Sequence, residues 1–117
     1  MSETLYGGGI SNNLVTFSIV DASQTAIGPM GIEVTGMAFH PTTGVLYAVT
    51  SNTSSVNPRA LYTVDVDTGA ATYIGNLNIS TNTSPDIAFH SNGTLYGWES
   101  TLGRLITINL TTGQATE

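Results

Sequence analysis

The sequence predicts an all-β protein built from repeated, four-stranded antiparallel units, and three observations predict it. One motif recurs: Leu5-Tyr6-Gly7, Leu46-Tyr47-Ala48 and Leu95-Tyr96-Gly97 lie 41 and 49 residues apart. Apolar residues alternate with more polar ones, as at Tyr62, Val64 and Val66, which is the period of two of a half-buried strand. No segment carries apolar residues at i, i+3, i+4 and i+7 far enough to make a helix.

Each element follows from the repeat. Met37-Ala38-Phe39-His40-Pro41-Thr42-Thr43-Gly44-Val45-Leu46-Tyr47-Ala48-Val49 is answered by Ile87-Ala88-Phe89-His90-Ser91-Asn92-Gly93-Thr94-Leu95-Tyr96-Gly97-Trp98. An apolar strand, a polar turn carrying glycine and a second strand make each copy a β-hairpin. A further strand series starts at Leu14, Leu61 and Leu105, spaced by 47 and 44 residues. Asp67-Thr68-Gly69 and Thr111-Thr112-Gly113 end it, with glycine supplying the positive φ of a tight turn. Thr25-Ala26-Ile27-Gly28 matches Thr72-Tyr73-Ile74-Gly75, and a third copy would begin at Thr116-Glu117. Four short strands per unit of roughly 40 to 50 residues is the pattern of β-propeller blades.

Composition narrows the function. Charged residues are 9 % of the chain, lysine is absent, Arg59 and Arg104 are the only basic side chains, and the formal net charge is -6. Nucleic-acid binding needs phosphate-neutralising cations, so it is excluded, as is attraction to anionic membranes. There is no cysteine, hence no disulfide and no thiolate metal site. No stretch approaches the roughly 18 apolar residues of a membrane span, so no membrane insertion is expected. Met1-Ser2-Glu3-Thr4 has neither a basic region nor an apolar run, so no signal peptide is expected in the chain given. A surface of Ser, Thr, Asn and Gly is common in secreted β proteins, and an extracellular or cell-surface location is expected on that association.

The candidate ligand residues are Trp98, Tyr96, Asp86 and Glu99. Trp98 is the only tryptophan and replaces Gly8 and Val49 of the other copies. With Tyr96, Tyr73 and Tyr62 it offers aromatic faces on which a neutral glycan can stack; packing between sheets explains a large aromatic there as well. Asp65-Val66-Asp67-Thr68-Gly69 resembles the start of a calcium loop, but position twelve is Asn76, where a bidentate acid is required. Asp65 and Asp67 therefore read first as turn residues, like Ser18 and Asn109 at the matching place. His40 and His90 end equivalent strands and read as turn residues rather than metal ligands. The irregular connections Ser51 to Pro58 and Asn76 to Pro85 read as surface loops, with a binding role as the alternative. No nucleophile, base and orienter assemble from these residues, so a non-catalytic protein without a cofactor is expected.

With the repeat laid out, the chain resembles the bacterial β-propeller repeats of the WD40-like, YVTN and quinoprotein-like superfamily, and in particular a family of uncharacterised secreted propellers. Residues 36–49 and 61–75 carry the resemblance. In the family's lettering, with strand A innermost, the chain reads B-C-D, A-B-C-D, then A-B-C and a stub of D. That is about two and a half repeats in a single segment over 1–117: a part-blade at 4–31, a full blade at 34–77 and a part-blade at 84–117. Propeller lactonases place metal-binding acids where Asp86 stands, so the resemblance also admits a fragment of a metal-dependent hydrolase. Too few blades are present to close the usual ring of about 4–8. Unpaired edges are therefore expected at Leu5 and Tyr6 and at Leu105 and Ile106, with no lysine to deter pairing. The resemblance implies a module for interaction or self-assembly, a homo-oligomer forming a closed ring or a filament, or else a piece of a longer propeller. Lectin-like binding of neutral glycans is the alternative.

Overall fold

The computed structural model describes residues 4–8, 12–79 and 85–117. Among these, strands fall into three antiparallel sheets. The first contains β1 (Leu5–Gly8), β2 (Asn13–Phe17) and β3 (Gln24–Pro29). The second contains β4 (Val34–Phe39), β5 (Leu46–Thr50), β6 (Ala60–Val64) and β7 (Ala71–Asn76). The third contains β8 (Asp86–Phe89), β9 (Leu95–Glu99), β10 (Arg104–Ile108) and β11 (Ala115–Thr116). Spatial neighbours are consecutive in sequence, so every sheet is a simple meander.

The register repeats residue for residue. Gly8 pairs with Leu14, Val49 with Leu61 and Trp98 with Leu105, at the same place in each sheet. A bulge interrupts the ladder between Leu14 and Val15 and again between Leu61 and Tyr62. The extra residues are Ile27 and Ile74; each bulge turns an isoleucine into the core between sheets.

The turns repeat as well. Asp65 Oδ1 accepts the N–H groups of Asp67 and Thr68 at 2.8 and 3.2 Å; Asn109 Oδ1 does the same for Thr111 and Thr112 at 2.8 and 3.1 Å. Ser18 Oγ accepts from Val20 at 3.2 Å. His40 Nδ1 accepts from Thr42 and Thr43 at 3.1 and 3.2 Å, and His90 Nδ1 from Asn92 at 3.1 Å. A short polar side chain folding back on the next two amides is what holds a tight turn. Beside Ser18, the Ser23 N–H donates to exposed Asp21 and holds its carboxyl below the ordinary 3.8. The stability that bond lends is present above 3.8 and lost as pH falls through the lowered value.

The second sheet lies between the other two and is apolar on both faces. Leu46, Ala48, Tyr62 and Val64 pack toward the first sheet with Leu14, Met30 and Ile32. Val49, Leu61 and Leu77 pack toward the third with Ile87, Leu95, Ile106 and Ile108. Burial on both sides explains why Leu46-Tyr47-Ala48-Val49 reads as an unbroken apolar run rather than an alternating one.

At their outer strands the sheets bring backbone directly against backbone. A Cβ added to Gly28 would lie 2.1 Å from the Thr68 carbonyl oxygen, and one on Gly75 would lie 1.9 Å from that of Thr112. The opposing turn glycines, Gly69 and Gly113, have φ of 83° and 81° and rest on Gly28 and Gly75. In the first sheet the same turn position is held by Ala22, with φ of 62°. We expect Gly75→Ala to lower the free energy of unfolding by about 3 kcal/mol, because backbone must separate to admit the methyl group. Gly44→Ala, at a φ of 73° with nothing within 4 Å, loses only about 1 kcal/mol; urea denaturation of both variants compares them.

Candidate functional site

Alternation along β8, β9 and β10 sends one set of side chains inward and leaves the other on the outward face of the third sheet. Asp86 pairs with Trp98 and Trp98 with Leu105; Ala88 pairs with Tyr96 and Tyr96 with Thr107. Asp86, Ala88, Tyr96, Trp98 and Leu105 thus share one face, around a shallow cavity of about 160 Å³ that they line with Ile87 and Gly97. Trp98 is 50 % and Leu105 55 % exposed. Asp86 is the one charged group in this lining, and its Oδ1 accepts the N–H of Ile87 at 2.9 Å.

Three of the four predicted ligand residues therefore meet: Trp98, Tyr96 and Asp86. Glu99 does not join them. It shares the inward parity of Leu95 and Gly97, is fully buried, and accepts the N–H groups of Thr101 (2.7 Å) and Leu102 (3.1 Å). Arg104 Nε stands 3.2 Å from Glu99 Oε2, as an ion pair without hydrogen-bond alignment, while its Nη1 reaches Glu117. Glu99 holds the β9–β10 turn, as Thr50 holds the β5–β6 connection through Asn57 and Ala60. Strand parity already separated Glu99 from Trp98. Sequence reasoning missed Leu105 and Ala88 as members of this face, although Leu105 matches Leu61.

The edge prediction needs one correction. β1 is an edge strand, with Leu5 55 % exposed and Tyr6 half-buried. β10 is not an edge, because β9 flanks it on one side and β11 bonds to it at Thr107 and Ile108 on the other. Even two residues, Ala115 and Thr116, suffice to form a ladder. Ile106 is buried in the core and Leu105 belongs to the sheet face.

The remaining candidates stay apart from this face. Asp65 is occupied by its own turn, and Asp67 is exposed beside it. His40 packs its ring on Phe89 with centroids 5.1 Å apart. Among the described residues, no group of three or more His, Asp or Glu side chains is placed to hold a metal ion, and no helix is long and apolar enough to cross a membrane. Residues 80–84 of the Asn76–Pro85 connection lie outside the described residues.

Three stacked sheets with one register, one turn chemistry and one core pattern define an all-β repeat protein. The chain belongs to the DUF6923 family, described as a repeat of unknown function, which matches residues 11–117. The crystal structure at 1.70 Å of a structural genomics protein of unknown function from Bacteroides thetaiotaomicron VPI-5482 is similar, with a TM-score of 0.75 and 18 % identity. The likeness covers 97 % of this chain and 30 % of that one. At that identity it shows the fold alone, and this chain spans about 30 % of the length of that structure. No curated protein matches the chain.

Glu99→Ala is expected to cost about 3 kcal/mol, since it strips the turn amides of their acceptor and Arg104 of the buried one of its two counter-charges. Asp86→Asn, on the exposed face, is expected to change stability by no more than about 0.5 kcal/mol. Denaturant titration of the two proteins checks the contrast.

Proposed function

We propose that the three sheets are blades of a β-propeller and that the chain is a non-catalytic assembly module, whose third sheet docks on the first sheet of a second copy. One observation carries the reading. The pair Trp98–Leu105 occupies the register position of Gly8–Leu14 and Val49–Leu61. In those sheets the following sheet covers the leucine completely, Leu14 and Leu61 both being 0 % exposed, whereas Leu105 is 55 % exposed. A face that is a packing surface in two copies of a repeat is a packing surface in the third.

The complementary surface is at the other end of the stack. Leu5 pairs with Phe17 and Gly7 with Val15, so these four share the outward face of the first sheet. They match Leu46, Ala48, Tyr62 and Val64, which receive the first sheet, and Leu95, Gly97, Ile106 and Ile108, which receive the second. A contact between unlike ends is heterologous; it closes into a ring or propagates as a filament according to the rotation per copy. Covering half-exposed Trp98 and Leu105 is worth about 1.5 kcal/mol or more for each. The polar, lysine-free surface supports a place outside the cell or at its surface.

Light scattering on the eluting protein should give a mass of at least twice 12.2 kDa, and Trp98→Glu with Leu105→Glu should return it to the monomer. A wild-type chain that stays monomeric at tens of micromolar overturns the reading. Quenching of Trp98 fluorescence by neutral glycans in that monomer would replace it with a lectin-like role for the same face.

A further inference from the structure

The turn between β8 and β9 holds the dipeptide Asn92-Gly93, and Asn92 is the only asparagine in the chain that glycine follows. Hydrogen bonds close the turn around it. His90 Nδ1 accepts the Asn92 N–H at 3.1 Å, the Gly93 N–H donates to the His90 carbonyl at 2.9 Å, and Asn92 Oδ1 accepts the Thr94 N–H at 3.0 Å. Asn92 is exposed, and its Nδ2 makes no hydrogen bond among the described residues. Asn57 and Asn76, by contrast, donate from Nδ2 to Tyr62 Oη at 2.8 Å and to the Pro58 carbonyl at 3.2 Å. Glycine is favoured after Asn92 on two counts: φ is 90°, and a Cβ would stand 3.1 Å from His40 Nε2 of the second sheet. In the matching turn of the second sheet Thr43 precedes the turn glycine, Gly44, and its Oγ1 accepts the Val45 N–H at 3.4 Å. The turn thus calls for an acceptor at this place, and an amide is not needed to supply it.

We infer that Asn92 is a site of spontaneous covalent modification, where the protein loses ammonia and acquires aspartate or isoaspartate. Asparagine is among the heat-labile side chains. The Gly93 backbone nitrogen gives its proton to water and attacks Asn92 Cγ. The Cγ–N bond forms, the Cγ–Nδ2 bond breaks, and Nδ2 takes up the proton and leaves as ammonia. Water then opens the five-membered imide at either of its carbonyl groups. One opening leaves aspartate, and the other leaves isoaspartate, whose backbone runs through the former side-chain carbon. One water enters for each ammonia lost, and no oxidant or reductant takes part. Gly93 brings to this reaction a nitrogen that no Cβ shields. Every other asparagine precedes a residue with a side chain, and Asn57 precedes Pro58, which has no N–H. The Gly93 bond to His90 holds the nitrogen back, so attack requires the turn to open locally. Isoaspartate lengthens the backbone of the turn by one methylene. The strain falls where Phe89 pairs with Leu95 and where His40 of the second sheet packs on Phe89, with centroids 5.1 Å apart. The inference stands on this turn and does not depend on docking between sheet faces.

The test ages the purified chain in mildly alkaline buffer at physiological temperature and maps it by mass spectrometry, with fragmentation that separates aspartate from isoaspartate. A gain of one mass unit should appear at Asn92 at least tenfold faster than at any other asparagine, with both isomers formed. Asn92→Thr, which supplies the hydroxyl acceptor found at Thr43, should abolish that gain in a protein that stays folded. The isoaspartate-bearing fraction should unfold at lower urea than Asn92→Asp, which carries the same charge on an unaltered backbone. An intact Asn92 after other asparagines have reacted, or a gain that persists in Asn92→Thr, would overturn the inference. Equal urea midpoints for the isoaspartate fraction and Asn92→Asp would overturn the strain assigned to the lengthened turn.

Discussion

A sheet that is apolar on both faces cannot stand alone in water, and the second sheet of this protein is such a sheet. Leu46, Ala48, Tyr62 and Val64 on one side, and Val49, Leu61 and Leu77 on the other, require a neighbour on each face. The stacking of three sheets follows from that requirement, and so does the placing of polar residues at the turns rather than along the strands. The end sheets inherit the same two-faced pattern, which is why an apolar face remains around Trp98 and Leu105.

Apolar faces are non-directional and do not by themselves fix how two sheets are aligned. Alignment comes from the places where backbone meets backbone. Gly28 under Thr68 and Gly75 under Thr112 admit no side chain, so each turn has one seat on the strand before it. The inserted isoleucines Ile27 and Ile74 stand next to these seats and fill the space inside them. Close backbone contact at the outer strands, with bulk immediately behind it, recurs at both joints between successive sheets.

Most of this was legible in the sequence because a repeat is read by comparison rather than by propensity. The three Leu-Tyr openings, the Thr-Gly turns and the Ile-Gly strand endings fall in equivalent places in the folded chain, and the polar residues assigned to turns hold turns. Site residues were harder to read. Acidity drew attention to Glu99, but alternation along β9 sends it inward with Leu95 and Gly97, where it serves the turn. Leu105 reads as an edge from the sequence because only a stub at Thr116–Glu117 follows it there; in the fold Ala115 and Thr116 make two ladder positions, which are enough. Closeness of backbone, as at Gly28 and Gly75, has no signature in one sequence beyond the glycine itself.

The exception among the turns is Ala22, which holds the left-handed conformation that glycine holds in the other two units. At Gly69 the space for a methyl group is already taken by the Gly28 carbonyl, 2.5 Å away. Whatever leans on the first sheet must stand off from Ala22 by the thickness of that methyl, so the outer rim of that joint is wedged open. The two turns that end in glycine settle directly on the backbone of the strand before them, and the Ala22 methyl group denies the first-sheet turn that same closeness.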